Sequence, residues 1–350
     1  MKKKLLQIFH NKIENILFTN IKETFYLTGA NFDGFWLLFV KCKIHILCSK
    51  MIEGQIRDFF VNQNIQIHID TPFYQTVIKI LKQNKINRIL IDPKYMNAAD
   101  FILINEKLNQ EKISIIRKIN ILNSLRIIKN EDEIINIKKS CSIVSNICNI
   151  IKSELKPGLC ELDIHYRVLE LFAKNRVTES FTPIIASGIN SANPHHKSSF
   201  RKITKNDIIM MDIGCTYKGY CSDLTRTYFL DRIGKSDGRK IIWDTVKRSQ
   251  DCILKKIRAG LRLSWADETA RNIVKEAGYG DRFIHSTGHG IGIEVHEMPS
   301  LTLDVEGVFL PCMVVTIEPG IYIEQLFGVR IEDTILIKEN GCEILTLAAY

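Results

Sequence analysis

No apolar run in this sequence approaches the ~20 residues that a helical membrane crossing requires; the most apolar stretch away from the N-terminus, Phe35 to Val40, is far too short. The basic start Met1-Lys2-Lys3-Lys4 has the charge of a secretory leader. The apolar stretch behind it, Leu5 to Phe9, is too short for a leader core and is broken by His10, Asn11 and Lys12. A cytoplasmic location with no membrane partner is therefore the expectation. The ten cysteines include no Cys-x-x-Cys pair, and several, such as Cys141 and Cys148, sit in apolar segments. Buried free thiols in a reducing compartment account for them better than a disulfide framework. The net charge of +9 comes without a basic patch interleaved with aromatics. Its lysines are scattered among isoleucines and asparagines, which points to residue usage and not to a nucleic-acid partner. Long low-complexity segments and short-period repeats are missing too. What is there, 45% hydrophobic and 25% charged residues over 350 positions, is a globular composition with length for about two domains.

Two regions differ in plan. Up to about residue 122, strand-like runs (Phe35 to Val40, Ile44 to Leu47, Ile89 to Ile91) alternate with helix-like stretches (Thr76 to Asn84, Ala99 to Leu108), as in an α/β domain. Few histidines or carboxylates converge there, so a supporting, dimerisation or lid role is expected. A new unit opens near Asn130, which with Glu133 forms a capping-box-like pair. Ile134, Ile137, Cys141, Val144, Cys148 and Ile151 then recur at helical spacing, and Pro157-Gly158 closes the segment. A second helix is expected over Glu161 to Lys174, followed by strands at Pro183 to Ala186, Ile208 to Ile213 and Leu224 to Leu230. Helices over Lys240 to Arg258 and Ser264 to Ala277 lead to strands at Val314 to Ile317, Ile321 to Ile323 and Val329 to Ile337. The order helix, helix, strands occurs twice. It suggests two half-domains of similar plan with a site in the cleft between their sheets.

Five side chains stand out as candidate metal ligands. Asp212 ends the apolar run Ile208-Ile209-Met210-Met211, where an unpartnered charge is costly. Asp223 opens Asp-Leu-Thr-Arg-Thr, in which Asp223, Thr225 and Thr227 share one strand face. A tight turn through Lys218-Gly219 brings the two carboxylates toward one cation; two hydrogen-bonded strand-end aspartates are the alternative. His289 lies in His285-Ser-Thr-Gly-His-Gly-Ile-Gly, whose glycines let the backbone approach a ligand closely or adopt positive φ. Its flanking glycines rank it above His285 as a ligand. Glu318 follows an apolar strand and precedes Pro319-Gly320. Glu332 falls inside a strand-like run, with Arg330 and Thr334 on its face, and a surface Arg–Glu pair is the alternative there. Four carboxylates and one imidazole suit manganese, cobalt, iron or zinc in a hydrolytic pair better than a thiolate zinc site. Two such ions about 3.5–4 Å apart can activate water and polarise a carbonyl.

The run Ser187-Gly-Ile-Asn-Ser-Ala-Asn-Pro-His195, the Asp212/Asp223 pair, Thr287-Gly-His289-Gly-Ile-Gly, Val295-His296-Glu297, Ile317-Glu318-Pro-Gly and Arg330-Ile-Glu332-Asp together resemble the creatinase/aminopeptidase P/prolidase family. Order and spacing agree over roughly residues 125–345. Thr24-Phe-Tyr-Leu-Thr-Gly-Ala resembles, less specifically, the family's smaller N-terminal domain. The resemblance implies a creatinase-like α/β domain over residues 1–122 and a pita-bread catalytic domain over residues 123–350. It implies two divalent metal ions per chain, manganese or cobalt ahead of zinc or iron. Asp212 would bind one and His289 with Glu318 the other, while Asp223 and Glu332 would bridge. His195 and His296 would be the catalytic and substrate-binding imidazoles, although His196 directly follows His195; Arg330 would help place substrate or orient Glu332.

The activity so implied is hydrolysis, by metal-activated water, of the peptide bond before proline, releasing the N-terminal amino acid. The expected partners are peptides with proline second and another copy of the chain in a homodimer. A creatinase-like C–N hydrolase and a non-catalytic binding protein of the same fold are the alternatives. The intact ligand set argues against the second. Methionine aminopeptidase uses the same ligands, but the extra N-terminal domain and Val-Arg-Ile-Glu-Asp-Thr point away from it. The preference between dipeptides and longer peptides is open at this level.

Overall fold

The computed structural model of the chain describes residues 15–61, 65–231 and 233–350; the N-terminal stretch Met1 to Lys12, on which the leader argument turns, lies outside them. No described helix is long and apolar enough to cross a membrane. The chain divides into two compact units, residues 1–125 and 126–350; the expected boundary lies just N-terminal to that division.

The first unit is built on a six-stranded mixed sheet of β1 (Asn15–Phe18), β2 (Phe35–Val40), β3 (Lys43–Cys48), β4 (Gln66–Ile69), β5 (Arg88–Ile91) and β6 (Ser114–Arg117), ordered β4-β3-β2-β1-β5-β6. Val77, Ile80 and Leu81 of the helix Phe73–Gln83 pack on it, as do Ile104 and Leu108 of Ala98–Gln110. These two helices and β2, β3 and β5 lie within a few residues of where the periodicity puts them, because each buries an apolar face; β1, β4 and β6 are not among the expected strands.

In the second unit the helix Glu131–Glu154 begins at a complete capping box: Asn130 Oδ1 accepts from the Glu133 amide and Glu133 Oε2 from the Asn130 amide, both at 3.0 Å. Such a cap contributes about 1 kcal/mol. Ile137, Val144, Ile147 and Ile151 are each at most 1% exposed, and each contributes about 1.5–3 kcal/mol by burial. Packing therefore holds the helix, and the cap fixes where it starts. With the helix Glu161–Lys174 it covers one face of the sheet made by β8 (Ile184–Ser187), β9 (Ile208–Ile213) and β12 (Leu224–Phe229), after the short β7 (Thr178–Glu179).

The expected turn at Lys218-Gly219 is present, but it belongs to a separate small hairpin, β10 (Cys215–Tyr217) and β11 (Tyr220–Cys221), interposed between β9 and β12. Both turn residues have positive φ (48° and 81°), as a two-residue hairpin turn matched to strand twist requires. Its effect is the expected one, since β9 and β12 pair antiparallel with Asp212 opposite Thr225.

The plan then repeats. Helices Gly238–Leu254 and Ser264–Glu276 pack on a second sheet of β13 (Gly288–Gly290), β14 (Glu297–Leu301), β15 (Val314–Ile317), β18 (Asp333–Lys338) and β19 (Gly341–Ile344), while β16 (Gly320–Ile323) and β17 (Phe327–Arg330) form a separate hairpin. The strand expected over Val329 to Ile337 is thus two strands with Ile331 and Glu332 in the break between them. The reason lies in the partners. Gly320 pairs with Arg330 and Ile317 with Asp333, so the chain changes neighbour between them.

Replacing Asn130 with Ala removes one half of the capping box. It should lower unfolding free energy by about 1 kcal/mol, read as a lower denaturant midpoint at unchanged slope. An unmoved midpoint would show that packing alone sets the helix start.

Candidate metal centre

Strand parity aims the site residues. On β9, Ile209, Met211 and Ile213 enter the core under the first helix pair, so Asp212 points the other way. On β12, Leu224 and Tyr228 enter that core, and Thr225 and Thr227 face away from it. On the second sheet, Val315, Ile317, Ile335 and Ile337 fill the other core, which turns Thr316, Glu318 and Thr334 outward from it. The two sheets meet where these faces meet. Thr227 Oγ1 donates to the Arg330 carbonyl at 2.7 Å, Thr334 Oγ1 to the Asp223 carbonyl at 2.8 Å, and the Glu332 amide to the Thr225 carbonyl at 3.1 Å.

Side-chain atoms of Asp223, His289 and Glu332 all fall within 4.8 Å of one another. His289 Nε2 lies 3.2 Å from Glu318 Oε1 and 3.7 Å from Asp223 Oδ2. The ring is set by its backbone: the His289 amide donates to Thr316 Oγ1 at 3.0 Å, and a β-bulge between His289 and Gly290 re-aims the side chain. The neighbouring glycines serve close approach of strands and not positive φ. A Cβ on Gly288 would sit 2.0 Å from the Thr316 carbonyl oxygen, and one on Gly290 2.2 Å from that of Met298. Asp212 is outside the 4.8 Å group and is held by Arg330, whose Nη2 donates to Oδ2 at 2.5 Å. Arg330 also donates from Nε to Thr225 Oγ1 (3.2 Å) and from Nη1 to the Tyr322 hydroxyl (2.8 Å). At 4% exposure, and paired with Asp212, it rules out the surface Arg–Glu reading. Of the two aspartates, Asp212 sits one residue before the end of β9 and is hydrogen-bonded through Oδ2 alone.

These carboxylates are short of counter-charge. Asp212 Oδ1, Asp223 Oδ1 and Glu332 Oε1 are buried with no hydrogen-bond partner among the described residues, although buried polar atoms are normally paired. Burial, then the charges of Glu332, Asp212 and Glu318, hold Asp223 well above the usual carboxylate range. Burial and the charges of Glu318 and Asp212 do the same to Glu332. Asp212 is raised by burial, which the Arg330 charge only partly offsets. For Glu318 burial works upward, but the His289 hydrogen bond and the charges of His289, His285 and Arg330 win and hold it down to about 2. Burial lowers His289, yet Glu318 outweighs it and leaves the imidazole above its ordinary value.

Four further histidines belong to the segments that carry the cluster or adjoin it. The His296 ring, solvent-exposed on one side, packs edge-on to His289 with centroids 4.4 Å apart, and its partial burial followed by the His289 charge lowers its pKa. Its neighbour Glu297 is engaged elsewhere, by Arg126 at 2.6 Å, so His296 is not paired with it. His196 Nε2 lies 2.8 Å from Glu161 Oε2. His195 is exposed. His285 Nε2 lies 2.9 Å from the Tyr322 hydroxyl. Tyr322 had no signal in the sequence: a tyrosine in an apolar strand reads as packing. It joins His285 to Arg330 and so to Asp212.

Residues 135–339 match metallopeptidase family M24. The chain belongs to that family. Over 98% of its length this M24 chain is similar, at 39% identity, to the Xaa-Pro dipeptidase of Pyrococcus horikoshii, 96% of which is covered. Among solved structures it is similar to the Xaa-Pro dipeptidase from Bacillus anthracis, with TM-score 0.91, 31% identity, and 99% and 97% of the two chains covered. It is also similar to the X-Pro aminopeptidase from Thermotoga maritima, with TM-score 0.88, 28% identity and 98% of each chain covered. The pita-bread α/β fold implied by the sequence motifs is thus the fold of this M24 chain, and M24 enzymes are hydrolases that use divalent metals.

The pKa directions give a sign. Asp212, Asp223, Glu332 and His289 hold protons more tightly folded than unfolded, so each stabilises the metal-free fold at low pH and loses that contribution as pH rises through its raised value. Glu318 acts oppositely, but only as pH falls from 4.5 toward about 2. The Tm of chelated protein should therefore fall as pH rises above the ordinary carboxylate range, and the rise in Tm on adding manganese should grow with pH. A manganese effect independent of pH would contradict this charge balance.

Proposed function

We propose that this M24 chain hydrolyses the peptide bond preceding proline, releasing the N-terminal amino acid, with two divalent cations held by Asp212, Asp223, His289, Glu318 and Glu332. The observation that carries the metal centre is the set of three buried carboxylate oxygens without a partner, on residues that also repel one another. An oxygen-rich set with one imidazole fits manganese or cobalt ahead of zinc or iron. In this reading Asp212 would serve one cation and His289 with Glu318 the other, with Asp223 and Glu332 available to either. When bound, the cations would supply a water acidic enough to attack at neutral pH and would polarise the scissile carbonyl.

The protein's own groups do the rest. Thr225 donates to Glu332 Oε2 at 2.7 Å, leaving Oε1 free to turn inward. Arg330 fixes Asp212 through Oδ2 and leaves Oδ1 likewise. His296, whose ring lies edge-on to His289, would donate a hydrogen bond to the substrate carbonyl as negative charge develops there. His195 would contact the substrate from the opposite loop.

The substrate class rests on the relatives, which are named Xaa-Pro dipeptidase and X-Pro aminopeptidase. A bond to proline carries no N–H, so a site shaped around the ring can discriminate on that ground. A homodimer is the working form this reading carries, supported by the family resemblance alone.

Ala-Pro, Ala-Pro-Ala or both should be cleaved far faster than Ala-Ala by manganese- or cobalt-loaded protein, and chelation should abolish turnover. Their ratio separates a dipeptidase from an aminopeptidase. Equal rates on Ala-Ala would move the chain to a general aminopeptidase, and full activity in metal-free protein would remove the mechanism. His296→Ala should keep both metals while kcat falls on the order of 10²–10³-fold. Lost metal would make His296 a ligand, and unchanged kcat a bystander.

A further inference from the structure

Glu161 opens the helix Glu161–Lys174, where a glutamate ordinarily lies in solvent against the positive end of the helix dipole. Here it is 0% exposed. Its Oε1 accepts from the Ser187 amide (2.7 Å), the Ser187 hydroxyl (2.8 Å) and Asn190 Nδ2 (2.9 Å). Its Oε2 accepts from the Ser199 amide (3.0 Å) and hydroxyl (2.7 Å) and lies 2.8 Å from His196 Nε2. One oxygen grips the start of the segment 187–199, and the other grips its end. Bonds to an ionised acceptor are the strong ones, and only a carboxylate offers acceptors on both sides.

Neighbouring groups tighten the same loop. Arg201 Nη1 donates to Ser187 Oγ at 2.7 Å while paired with Asp207, and Gly188, at φ +51°, has no room for a Cβ, which would lie 2.4 Å from Asp207 Oδ1. Between the two grips lie Pro194 and His195. The Pro194 carbonyl accepts from Arg330 Nη1 at 3.4 Å, the guanidinium that holds Asp212, and Ser191 Oγ accepts from the Gly328 amide at 2.9 Å.

We infer that Glu161 is a positioning residue for peptide hydrolysis: by tying both ends of the segment 187–199 it sets where His195 meets the substrate and where Pro194 meets Arg330. This rests on His195 being a substrate contact, as proposed above. A glutamine presents an NH₂ to one group of donors, so Glu161→Gln must release one end of the loop.

The test combines Glu161→Gln, His195→Ala and the double variant, with metal content, kcat and KM on Ala-Pro for each, and amide hydrogen exchange on the metal-free proteins. Glu161→Gln should keep both metals and speed exchange within 187–199 but not in β9 or β13. Its kcat should fall on the order of 10²-fold, the scale of a small misplacement of a reacting group, and most of that loss should vanish in the His195→Ala background. An equal fold-loss in both backgrounds, or unchanged exchange in the segment, overturns the proposal. Should His195→Ala leave Xaa-Pro hydrolysis unchanged, the reading of His195 fails and the positioning role with it. Should His195→Ala slow turnover while Glu161→Gln does not, the positioning role alone fails. Glu161→Asp, which keeps the charge but cannot span both ends, gives the same readouts if Glu161→Gln does not fold.

Discussion

Four carboxylates share a volume from which water is largely excluded, and their mutual repulsion is the constraint around which the catalytic unit is arranged. Two like charges 4 Å apart at an effective dielectric near 20 repel by about 4 kcal/mol, a large fraction of the ~5–15 kcal/mol that keeps a typical protein folded. Against Asp212, Asp223, Glu318 and Glu332 the surroundings set Arg330 and, when protonated, His289. The balance is negative. Protons or cations must make it up, which is why the two carboxylates without a cationic hydrogen-bond partner, Asp223 and Glu332, are the ones driven furthest upward.

Holding such a cluster requires rigid walls, and the seam between the two sheets supplies them. Alternation along β12 sends Thr225 and Thr227 toward the site and Arg226 the other way. Arg226 is 1% exposed, binds Asp333 at 2.7 Å and donates to the Glu332 carbonyl at 2.6 Å. Alternation likewise sends Glu332 inward and Asp333 outward. The backbone of Glu332 is thus fixed from behind by a buried ion pair while its side chain faces the repulsive cluster. Breaking such a pair from one side costs about 3–5 kcal/mol, more than a surface pair contributes, so the seam resists being pushed apart.

The loop carrying His195 is held on a different principle. It has little apolar surface of its own to bury, and its order comes from polar groups converging on Glu161. In sequence, Glu161 reads only as the first residue of a helix. Nothing local distinguishes a solvated N-terminal glutamate from one that a distant loop wraps around. The same holds for Tyr322, whose hydroxyl finds His285 and Arg330 only once the β16–β17 hairpin has closed.

The amino-acid sequence by itself determined the long helices, the strands of the two catalytic-unit sheets that carry Asp212, Thr225 and Thr316, and the parity of the site residues. Those follow from caps, 3.6- and 2-residue periods and the exclusion of apolar side chains from water, all of which act within a few residues. Parity survived even where the strand did not: the expected run over Val329 to Ile337 breaks at Ile331 and Glu332, yet Arg330, Glu332 and Thr334 all turn toward Thr225 and Asp223. Only the tertiary structure decided which atoms meet. It chose Asp212 and not Glu332 as the partner of Arg330, used the glycines beside His289 for close strand packing, and bound His196 to Glu161 while leaving His195 exposed. Those outcomes depend on how two sheets dock over more than a hundred residues of chain, and the energy of docking is spread across contacts that no local pattern encodes.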